Sequence, residues 1–330
     1  MNINDFNYLL PKELIAQRPA SPRTHSRLMI LNNPAPNSPP IEHKHFYDLP
    51  DYLKEDDVLV INETKVLPIR ITGKKQTGGK VELMLALNSN KATIKGRAKV
   101  GDDLIFPDNI KAKILSKKDN KVRLKFNLPV NEIINKIGSL PTPPYIKTPI
   151  KSDDEYQTVY ANQEGSFAAP TAGLHFNQEL LQKIKNKGVK IAKVCLHVSW
   201  DTFLPVTEED PTKHKIHGEV CEITKQNSDI INKAKRLFVV GTTTLRTLES
   251  FAEDGKIYSG KKLTKIFIYP GYKFKLNYTG LITNFHLPKS TLLMMISAFY
   301  SREKILEAYE IAIKEKYRFY SLGDAMLILK

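Results

Sequence analysis

Between about residues 71 and 147 the pattern of predicted secondary structure changes, and this interruption constrains the fold more than any other feature. Short alternating strands follow one another there, separated by Gly, Asn and Asp: KVELMLAL, KATIKGRAKV, NIKAKIL and KVRLKFN. Evenly spaced short strands are typical of a small antiparallel barrel or sandwich. The block ends in LPTPPYIK, Leu140 to Lys147, whose prolines predict a stiff connector. We therefore expect residues 71–147 to form a small antiparallel β-barrel domain.

Strands alternate with helices on both sides of this block. RLFVVG leads directly into the helical segment TTTLRTLESFAEDG, and GLITNFHL is followed by STLLMMISAFY, a helix that Ser290 can cap. Such alternation predicts an α/β domain. The sequence thus predicts a barrel-like α/β main domain, formed by residues 1–70 and 148–330, into which the small β-barrel is inserted.

Charge and cysteine content narrow the class of protein. The chain has 330 residues and a formal net charge of +15, which favours a polyanionic partner because each neutralised phosphate releases counterions. The alternative is that the lysines only keep the surface solvated. The two cysteines, Cys195 and Cys221, suit neither a zinc site nor a disulfide framework. No apolar run reaches the ~18–20 residues of a membrane span, and the N-terminus does not resemble a secretory signal. We expect a reduced cytoplasmic protein without a metal and without membrane contact.

Two runs that contain histidine lie close together in the sequence. GSFAAPTAGLHF spans Gly165 to Phe176, and CLHVSWDTFLPV spans Cys195 to Val206. The small residues of the first run allow a backbone to approach a ligand, and His175 and His197 can supply protons there. These two runs are the first candidates for a catalytic site.

A second group of polar residues lies where predicted strands end. GTTT, Gly241 to Thr244, places backbone N–H groups at a helix N-terminus, which favours an anion; a purely structural cap is the alternative. Arg246 is suited either to clamp an anion or to pair with Glu249. Asn62 and Thr64 follow a short apolar strand, where a plain turn is the alternative.

HKIHGE, His214 to Glu219, clusters two histidines and a carboxylate. A zinc site is conceivable, but no third ligand stands at helical spacing. General acid–base work suits the cluster better, with a solvated polar loop as the alternative. The same choice applies to His286, which ends a predicted strand before a proline turn.

Taken together, these runs closely resemble one family, the S-adenosylmethionine:tRNA ribosyltransferase-isomerases of queuosine biosynthesis. The resemblance covers nearly the whole chain and rests on the following runs, in order: FNYLLPKELIAQRP, LVINETKVLPIRI, TGGKVELML, LPTPPYIK, YQTVYANQEGSFAAPTAGLHF, LHVSWDTFLPV, HKIHGE, VVGTTTLRTLE, TNFHLPKSTLLMMISAF and YRFYSLGDAMLIL. The family's organisation, a large α/β domain with a small inserted β-barrel, agrees with the texture of the sequence.

The resemblance implies a reaction and its partners. A family member isomerises the ribosyl part of S-adenosylmethionine and attaches it to the aminomethyl group of 7-aminomethyl-7-deazaguanine at the wobble position of tRNA. The product is epoxyqueuosine-tRNA, and adenine and methionine are released. S-adenosylmethionine is then a consumed substrate and no separate cofactor is implied. The tRNA is the expected partner, and we expect a monomer.

The resemblance also implies a set of site residues. Side chains that can exchange protons are expected to carry catalysis: His175, His197, His217 and Glu219. The methionine carboxylate or a tRNA phosphate is expected to meet Thr242, Thr243 and Arg246. The other expected substrate contacts lie in the same loops or at strand ends: Asn62, Thr64, Arg70, Pro170, Thr171, Ala172, Gly173, Asp201, Thr202, Phe203, Gly241 and His286.

The chain departs from the family pattern in one loop. Members usually read LHVGxGTF, whereas this chain has Ser199, Trp200 and Asp201 there. Asp201 tolerates a positive φ better than most residues, and Trp200 adds a ring suited to stacking on a base. The loss of two glycines in this loop leaves open a basic tRNA-binding protein with reduced or lost catalysis. A methyltransferase or other enzyme that uses a nucleoside is a separate alternative.

Overall fold

The chain forms two compact units in a computed structural model, Met1–Lys65 together with Pro144–Lys330, and Val66–Pro143. The smaller unit thus begins at residue 66 and ends at residue 143, where the sequence predicts 71 and 147. That each unit folds as an independent domain stays a prediction. The structure describes the following residues: 1–32, 40–86, 89–150, 152–199, 208–214, 216 and 218–330.

Strands outnumber α-helices in both units. In chain order, the strands are β1 Arg27–Leu31, β2 Ile41–His45, β3 Val58–Asn62, β4 Thr64–Val66, β5 Arg70–Lys75, β6 Lys80–Leu85, β7 Lys91–Lys95, β8 Asp103–Ile105, β9 Lys111–Lys118, β10 Lys121–Phe126, β11 Gln163–Ser166, β12 Lys190–Leu196, β13 Glu219–Ile223, β14 Leu237–Val240, β15 Ala252–Glu253, β16 Lys256–Ile257, β17 Gly260–Thr264, β18 Gly280–Asn284 and β19 Ala325–Leu329. The α-helices are α1 Val130–Ile137, α2 Gln178–Asn186, α3 Lys225–Asn232, α4 Thr242–Phe251, α5 Thr291–Phe299 and α6 Arg302–Lys314. Short 3₁₀ helices cover Ile3–Phe6, Lys12–Leu14, Arg23–His25, Phe46–Tyr52, Asp153–Tyr156, Thr171–Gly173 and Pro211–Lys213. Of the helices described, none is long and apolar enough to cross a membrane.

The larger unit is built on one mixed sheet, in the order β17-β13-β12-β3-β14-β18-β19-β1-β2. At its centre, β12, β3, β14 and β18 are joined by parallel pairs. Their carboxyl ends therefore meet at one edge of the sheet, the place where open α/β folds commonly bind ligands. The predicted α/β main unit is confirmed, and its sheet has β17 and β2 as edge strands.

The central strands are buried on both faces. In β3, Val58 and Val60 belong to the core layer that also contains residues of α4, α5 and α6, whereas Leu59 and Ile61 belong to the layer that contains residues of α2. Continuous apolar strands of this kind are typical of parallel sheets covered by helices. A slip of one residue would carry Asn62 into an apolar layer, so the packing favours the register that presents Asn62 at the strand end.

The smaller unit is a closed barrel, in the order β10-β7-β6-β5-β8-β9. The pairs of neighbouring strands whose register is defined are all antiparallel, which confirms the predicted small antiparallel barrel. Its interior is apolar and includes Ile71, Leu83, Leu104 and Leu124, none of which is exposed. In β9, Lys111 and Lys113 alternate with the buried Ala112 and Ile114 and face water.

We predict that Gly73→Ala destabilises the barrel. A Cβ at position 73 would lie 2.5 Å from the carbonyl oxygen of Ile105 and 2.5 Å from Cδ1 of Phe106. Overpacking against backbone typically costs about 1–3 kcal/mol. Chemical denaturation of the full chain, followed by circular dichroism, should show a lower midpoint. In the matched control Gly79→Ala, the new Cβ would meet only the flexible Lys75 side chain, with Cε at 3.0 Å. Equal midpoints for the two variants would contradict this packing, and a shift confined to one of two transitions would support independent folding of the barrel.

Candidate active site

A cavity of about 440 Å³ lies at the carboxyl ends of the central strands. Four runs that are distant in sequence line it: residues 168–172, the start of α4, the segment after β18 and the pair 320–321. Tyr145 joins them from the segment that follows the barrel. Eight of the residues that the sequence predicts for the site lie in its wall: Pro170, Thr171, Ala172, Gly241, Thr242, Thr243, Arg246 and His286.

A buried ion pair lies at the cavity wall. Nη1 of Arg246 donates to Oε2 of Glu219, and Oε1 of Glu219 accepts from the backbone N–H of Ser199 at 2.9 Å. Arg246 is 8% exposed and Glu219 is 3% exposed. Charges at this depth are stable only when they are paired and hydrogen-bonded. Glu219, which the sequence predicts as catalytic, thus reaches the cavity through the guanidinium that it holds in place.

The partner of Arg246 differs from the one that helical spacing suggests. Glu249 does not pair with Arg246 in the structure. Its carboxylate is fully buried and accepts from the hydroxyls of Tyr272 at 2.9 Å and Tyr278 at 2.5 Å. The alternative in which Arg246 only pairs with Glu249 is therefore wrong.

The first turn of α4 has no side-chain cap. Gly241 precedes it with a φ of 89°, a left-handed conformation that glycine adopts without strain. The hydroxyl of Thr244 donates back to the carbonyl oxygen of Val240 at 2.5 Å and does not cap the helix. The N–H groups that begin α4 therefore remain available at the cavity, where the helix dipole favours a negative charge.

Asn62 ties the strand ends to α4. It is fully buried, and its Nδ2 donates to the carbonyl oxygen of Leu196 at 3.1 Å and to Oγ1 of Thr243 at 3.2 Å. Its Oδ1 accepts from the backbone N–H groups of Leu196 at 3.1 Å and Thr64 at 3.2 Å. Oγ1 of Thr64 lies 2.8 Å from Nδ1 of His197. Asn62, Thr64 and His197 are thus brought together as a layer that supports Thr243, outside the cavity lining.

His197 packs against a glycine. A Cβ on Gly165 would lie 2.8 Å from Cε1 of the ring, so only glycine leaves room for it. Burial lowers the pKa of His197. Both ring nitrogens lie 3.7 Å from Sγ of Cys195, whose pKa burial raises to about 12. This sulfur is therefore a thiol at neutral pH and not a nucleophile.

His175 is buried one layer behind the cavity. Its Nε2 lies 3.1 Å from Nδ2 of Asn284, an amide donor, so Nε2 accepts and Nδ1 donates to Oγ of Ser26 at 2.7 Å. Its ring stacks on Phe46 at 4.9 Å between centroids. Burial lowers the pKa of His175 to about 4, which keeps the ring neutral at pH 7. Asn284 lines the cavity and accepts from Thr171 at 3.3 Å, so His175 contacts the site through Asn284.

His286 lies in the cavity wall itself. Its Nε2 is 2.8 Å from Oγ1 of Thr283, and its backbone N–H donates to the hydroxyl of Tyr309 at 2.7 Å. The backbone oxygen accepts from the hydroxyl of Tyr8. Burial lowers the pKa of His286 to about 3. It therefore presents a neutral imidazole to a ligand.

The remaining predicted residues lie elsewhere. Gly173 is buried beneath the cavity wall, where a Cβ would lie 2.0 Å from the hydroxyl of Tyr160. Arg70 belongs to the smaller unit, where its guanidinium donates to Ser139 and Thr142, each at 3.2 Å; its expected role as a substrate contact stays a prediction. Four predicted residues, and Trp200 beside them, lie outside the described residues: Asp201, Thr202, Phe203 and His217.

Sequence reasoning missed several residues of the cavity. Asn284 and Thr283 end β18 and line the cavity beside His286. Tyr145 and Tyr320 also line it, with ring centroids 4.8 Å apart. The position of Asn284 at a strand end was a usable signal, because the same argument led to Asn62. Nothing in the sequence places the two tyrosines together, since 175 positions separate them.

Within the residues that the structure describes, no group of three or more His, Cys, Asp or Glu side chains could hold a metal ion. His214 of the HKIHGE run instead lies with Nδ1 2.8 Å from Oε2 of Glu208.

Comparisons with known proteins identify the family. Residues 3–328 match the model of the queuosine biosynthesis protein family, and the chain belongs to that family. It is 50% identical to an S-adenosylmethionine:tRNA ribosyltransferase-isomerase of Desulforamulus reducens, with all of both chains covered. A protein of the same name from Fusobacterium nucleatum is 48% identical, covering 99% of this chain and 96% of its own. The crystal structure of an S-adenosylmethionine tRNA ribosyltransferase from Thermotoga maritima is similar with a TM-score of 0.57 and 35% identity, over 98% of this chain and 100% of that one.

We predict that the stability of the protein falls below pH 6.5 because His175 must stay neutral. An ordinary histidine binds a proton near pH 6.5, whereas His175 in the folded protein binds one only near pH 4. Its contribution is complete above pH 6.5 and is lost as the pH falls toward 4. Between about pH 8 and pH 5 this histidine should cost about 2 kcal/mol of unfolding free energy.

Denaturation of His175→Gln at both pH values provides the test. The variant should lose less free energy of unfolding between them than the unsubstituted protein, because glutamine does not titrate. The same replacement at the exposed His25 serves as the control for the chemical change itself. Parallel curves for the protein and His175→Gln would refute the assignment.

Proposed function

We propose that the protein is an S-adenosylmethionine:tRNA ribosyltransferase-isomerase. It transfers and isomerises the ribosyl part of S-adenosylmethionine onto the aminomethyl group of 7-aminomethyl-7-deazaguanine at the tRNA wobble position. Epoxyqueuosine-tRNA forms, and adenine and methionine leave. The observation that carries this proposal is the convergence of four family runs, AAPTA, GTTTLR, TNFHLPKS and YSLG, on one cavity. Full-length relatives that carry the enzyme's name support it.

The chemistry of the donor explains what the cavity must provide. The sulfonium acidifies the neighbouring sugar carbon, so a base is needed to form an ylide there. An acid helps adenine to leave, and the tRNA amine must be neutral to attack. Among the described residues of the cavity wall, His286 is the imidazole that can contact the ribosyl group. His175 and His197 act through the side chains that they position, Asn284 and the Asn62–Thr243 layer.

The proposed donor is consumed in the reaction, so the proposal includes neither a resident cofactor nor a metal. The proposed partner is tRNA that carries the aminomethyl-deazaguanine. A formal net charge of +15 supports a polyanionic partner, and outward lysines of β9 and β10 supply part of that charge. A monomer in the cytoplasm, without membrane contact, completes the proposal.

We predict that the purified protein releases adenine when it is incubated with S-adenosylmethionine and tRNA bearing the aminomethyl-deazaguanine. Chromatography should detect free adenine, and mass spectrometry should detect the heavier tRNA. The control is the same tRNA with an unmodified guanine at the wobble position, which lacks the attacking amine and should gain no ribosyl group.

Two outcomes of this assay would favour the other functions. Radiolabel from the donor's methyl group in the tRNA would identify a methyltransferase. Binding of the tRNA without adenine release would identify a tRNA-binding protein that has lost catalysis. The replacement of the family's glycine by Ser199 makes the second outcome worth measuring, although the backbone N–H of Ser199 still donates to Glu219, as the backbone of glycine would.

We also predict that tRNA binding is strongly sensitive to salt. The logarithm of the affinity should fall linearly with the logarithm of the salt concentration, by about 0.7–0.9 for each neutralised phosphate. Filter binding or fluorescence anisotropy over a salt series measures this slope. A flat response would show that the basic charge of the chain does not contact the tRNA backbone.

A further inference from the structure

Arg246 lines the cavity, and one of its buried nitrogens lacks an acceptor. Arg246 directs Nη1 to Glu219, but no described residue accepts from its Nη2. The side chain is only 9% exposed, so bulk solvent does not readily replace the missing partner. A buried charged donor without an acceptor is costly. This geometry indicates that a ligand with an accepting group completes the site.

A second set of donors faces the same cavity independently of Arg246. Thr242 and Thr243 begin α4 and line the cavity, and no side chain caps the start of this helix. Nδ2 of Asn62 donates to Oγ1 of Thr243, so this hydroxyl keeps its own hydrogen for another acceptor. Backbone N–H groups and the dipole at a helix N-terminus add attraction for an anion. The cavity wall thus combines a guanidinium, a hydroxyl and a helix N-terminus.

Charge and burial define the anion. Glu219 already neutralises the charge of Arg246, so the helix N-terminus supplies the attraction that remains. The site therefore suits a single negative charge and not a cluster of phosphates. Arg246 is buried one turn inside α4, a depth that a small chain end reaches more easily than a polynucleotide backbone. A carboxylate has two oxygens. One can accept from a guanidinium N–H, and the other can accept from the backbone N–H groups that begin α4.

We propose that Arg246 and the first turn of α4 bind the α-carboxylate of the methionine part of S-adenosylmethionine. This subsite rests on the proposed function and deepens it, because it identifies which end of the donor meets α4. Glu219 is then a positioning residue that holds the guanidinium toward the carboxylate. Recognition of the donor depends on its amino-acid end, which leaves as methionine after the ribosyl group is transferred.

The test compares two donors that differ only in this carboxylate. Isothermal titration calorimetry of the full-length protein measures binding of S-adenosylmethionine and of decarboxylated S-adenosylmethionine. The unsubstituted protein should prefer the carboxylate form by about 10- to 100-fold, the range expected for a hydrogen bond to a charged group. In Arg246→Gln the preference should shrink to about threefold or less, because both donors then bind weakly.

Two further variants separate recognition from folding. Arg236 also pairs with a buried carboxylate, Oδ2 of Asp57 at 3.2 Å, but lies outside the cavity; Arg236→Gln should keep the preference. Thr243→Val retains the buried ion pair and removes only the hydroxyl, so it should lose part of the preference even if Arg246→Gln fails to fold. Thermal melting by circular dichroism reports folding of each variant.

The outcomes distinguish this subsite from the proposed function. If the protein binds neither donor and releases no adenine, both are wrong. If it binds S-adenosylmethionine without preferring it over the decarboxylated form, the subsite alone is overturned. The subsite alone is also overturned if both Arg246→Gln and Thr243→Val still prefer S-adenosylmethionine over the decarboxylated form. If Arg246→Gln weakens tRNA binding and leaves the donor preference intact, Arg246 contacts a phosphate and the subsite is wrong.

Discussion

The parallel pairing of β3 with β12 and β14 is the constraint on which the candidate site depends. These strands are buried between two apolar layers, whose packing fixes their register and direction. Parallel strands end at a common edge, and there Asn62 hydrogen-bonds to Leu196 and to Thr243. The backbone of the sheet therefore determines how far α4 stands from the loop after β12. Val198, Gly241 and Phe285 reach one cavity because β12, β14 and β18, which precede them, end at the same edge of the sheet.

The buried pair of Arg246 and Glu219 is better explained by ligand binding than by stability. Taking two charges out of water costs free energy that their attraction only partly returns, and an apolar pair of similar volume is often as stable. Removing one partner alone typically costs about 3–5 kcal/mol, because the other charge is left unpaired. If this point in the fold needed only packing, the ion pair would give no advantage in stability over an apolar pair. A guanidinium with one nitrogen held by Glu219 and another left for a ligand gains a fixed orientation.

Local features were predictable from the sequence because they depend on residues that are neighbours in the chain. The period of two in β9 and β10 predicts the barrel strands, and Ser290 does cap α5 by accepting from the N–H of Leu293. The strand end at Asn62 and the helix start at Gly241 follow from the same local rules. Five of the eight predicted residues that line the cavity follow β14 or β18, and loops at the ends of parallel strands converge whatever their side chains. Pro170, Thr171 and Ala172 follow β11, which lies outside the large sheet.

Contacts between distant segments were not predictable, and the errors lie there. Helical spacing suggests Glu249 as a partner for Arg246, but the side chain of Arg246 reaches β13 instead, and Glu249 is satisfied by two tyrosines. The sequence shows histidines but not their burial, and burial decides their chemistry. His175 and His286 are held neutral, with pKa values of about 4 and about 3. For a donor that carries a sulfonium, neutrality has a direct advantage, because an imidazolium about 4 Å from that cation would repel it by about 1–4 kcal/mol, depending on the local dielectric. A neutral ring at the same place can still exchange hydrogen bonds with the donor, so burial of His286 suits the cavity to a cationic ligand whose one anionic group is its carboxylate.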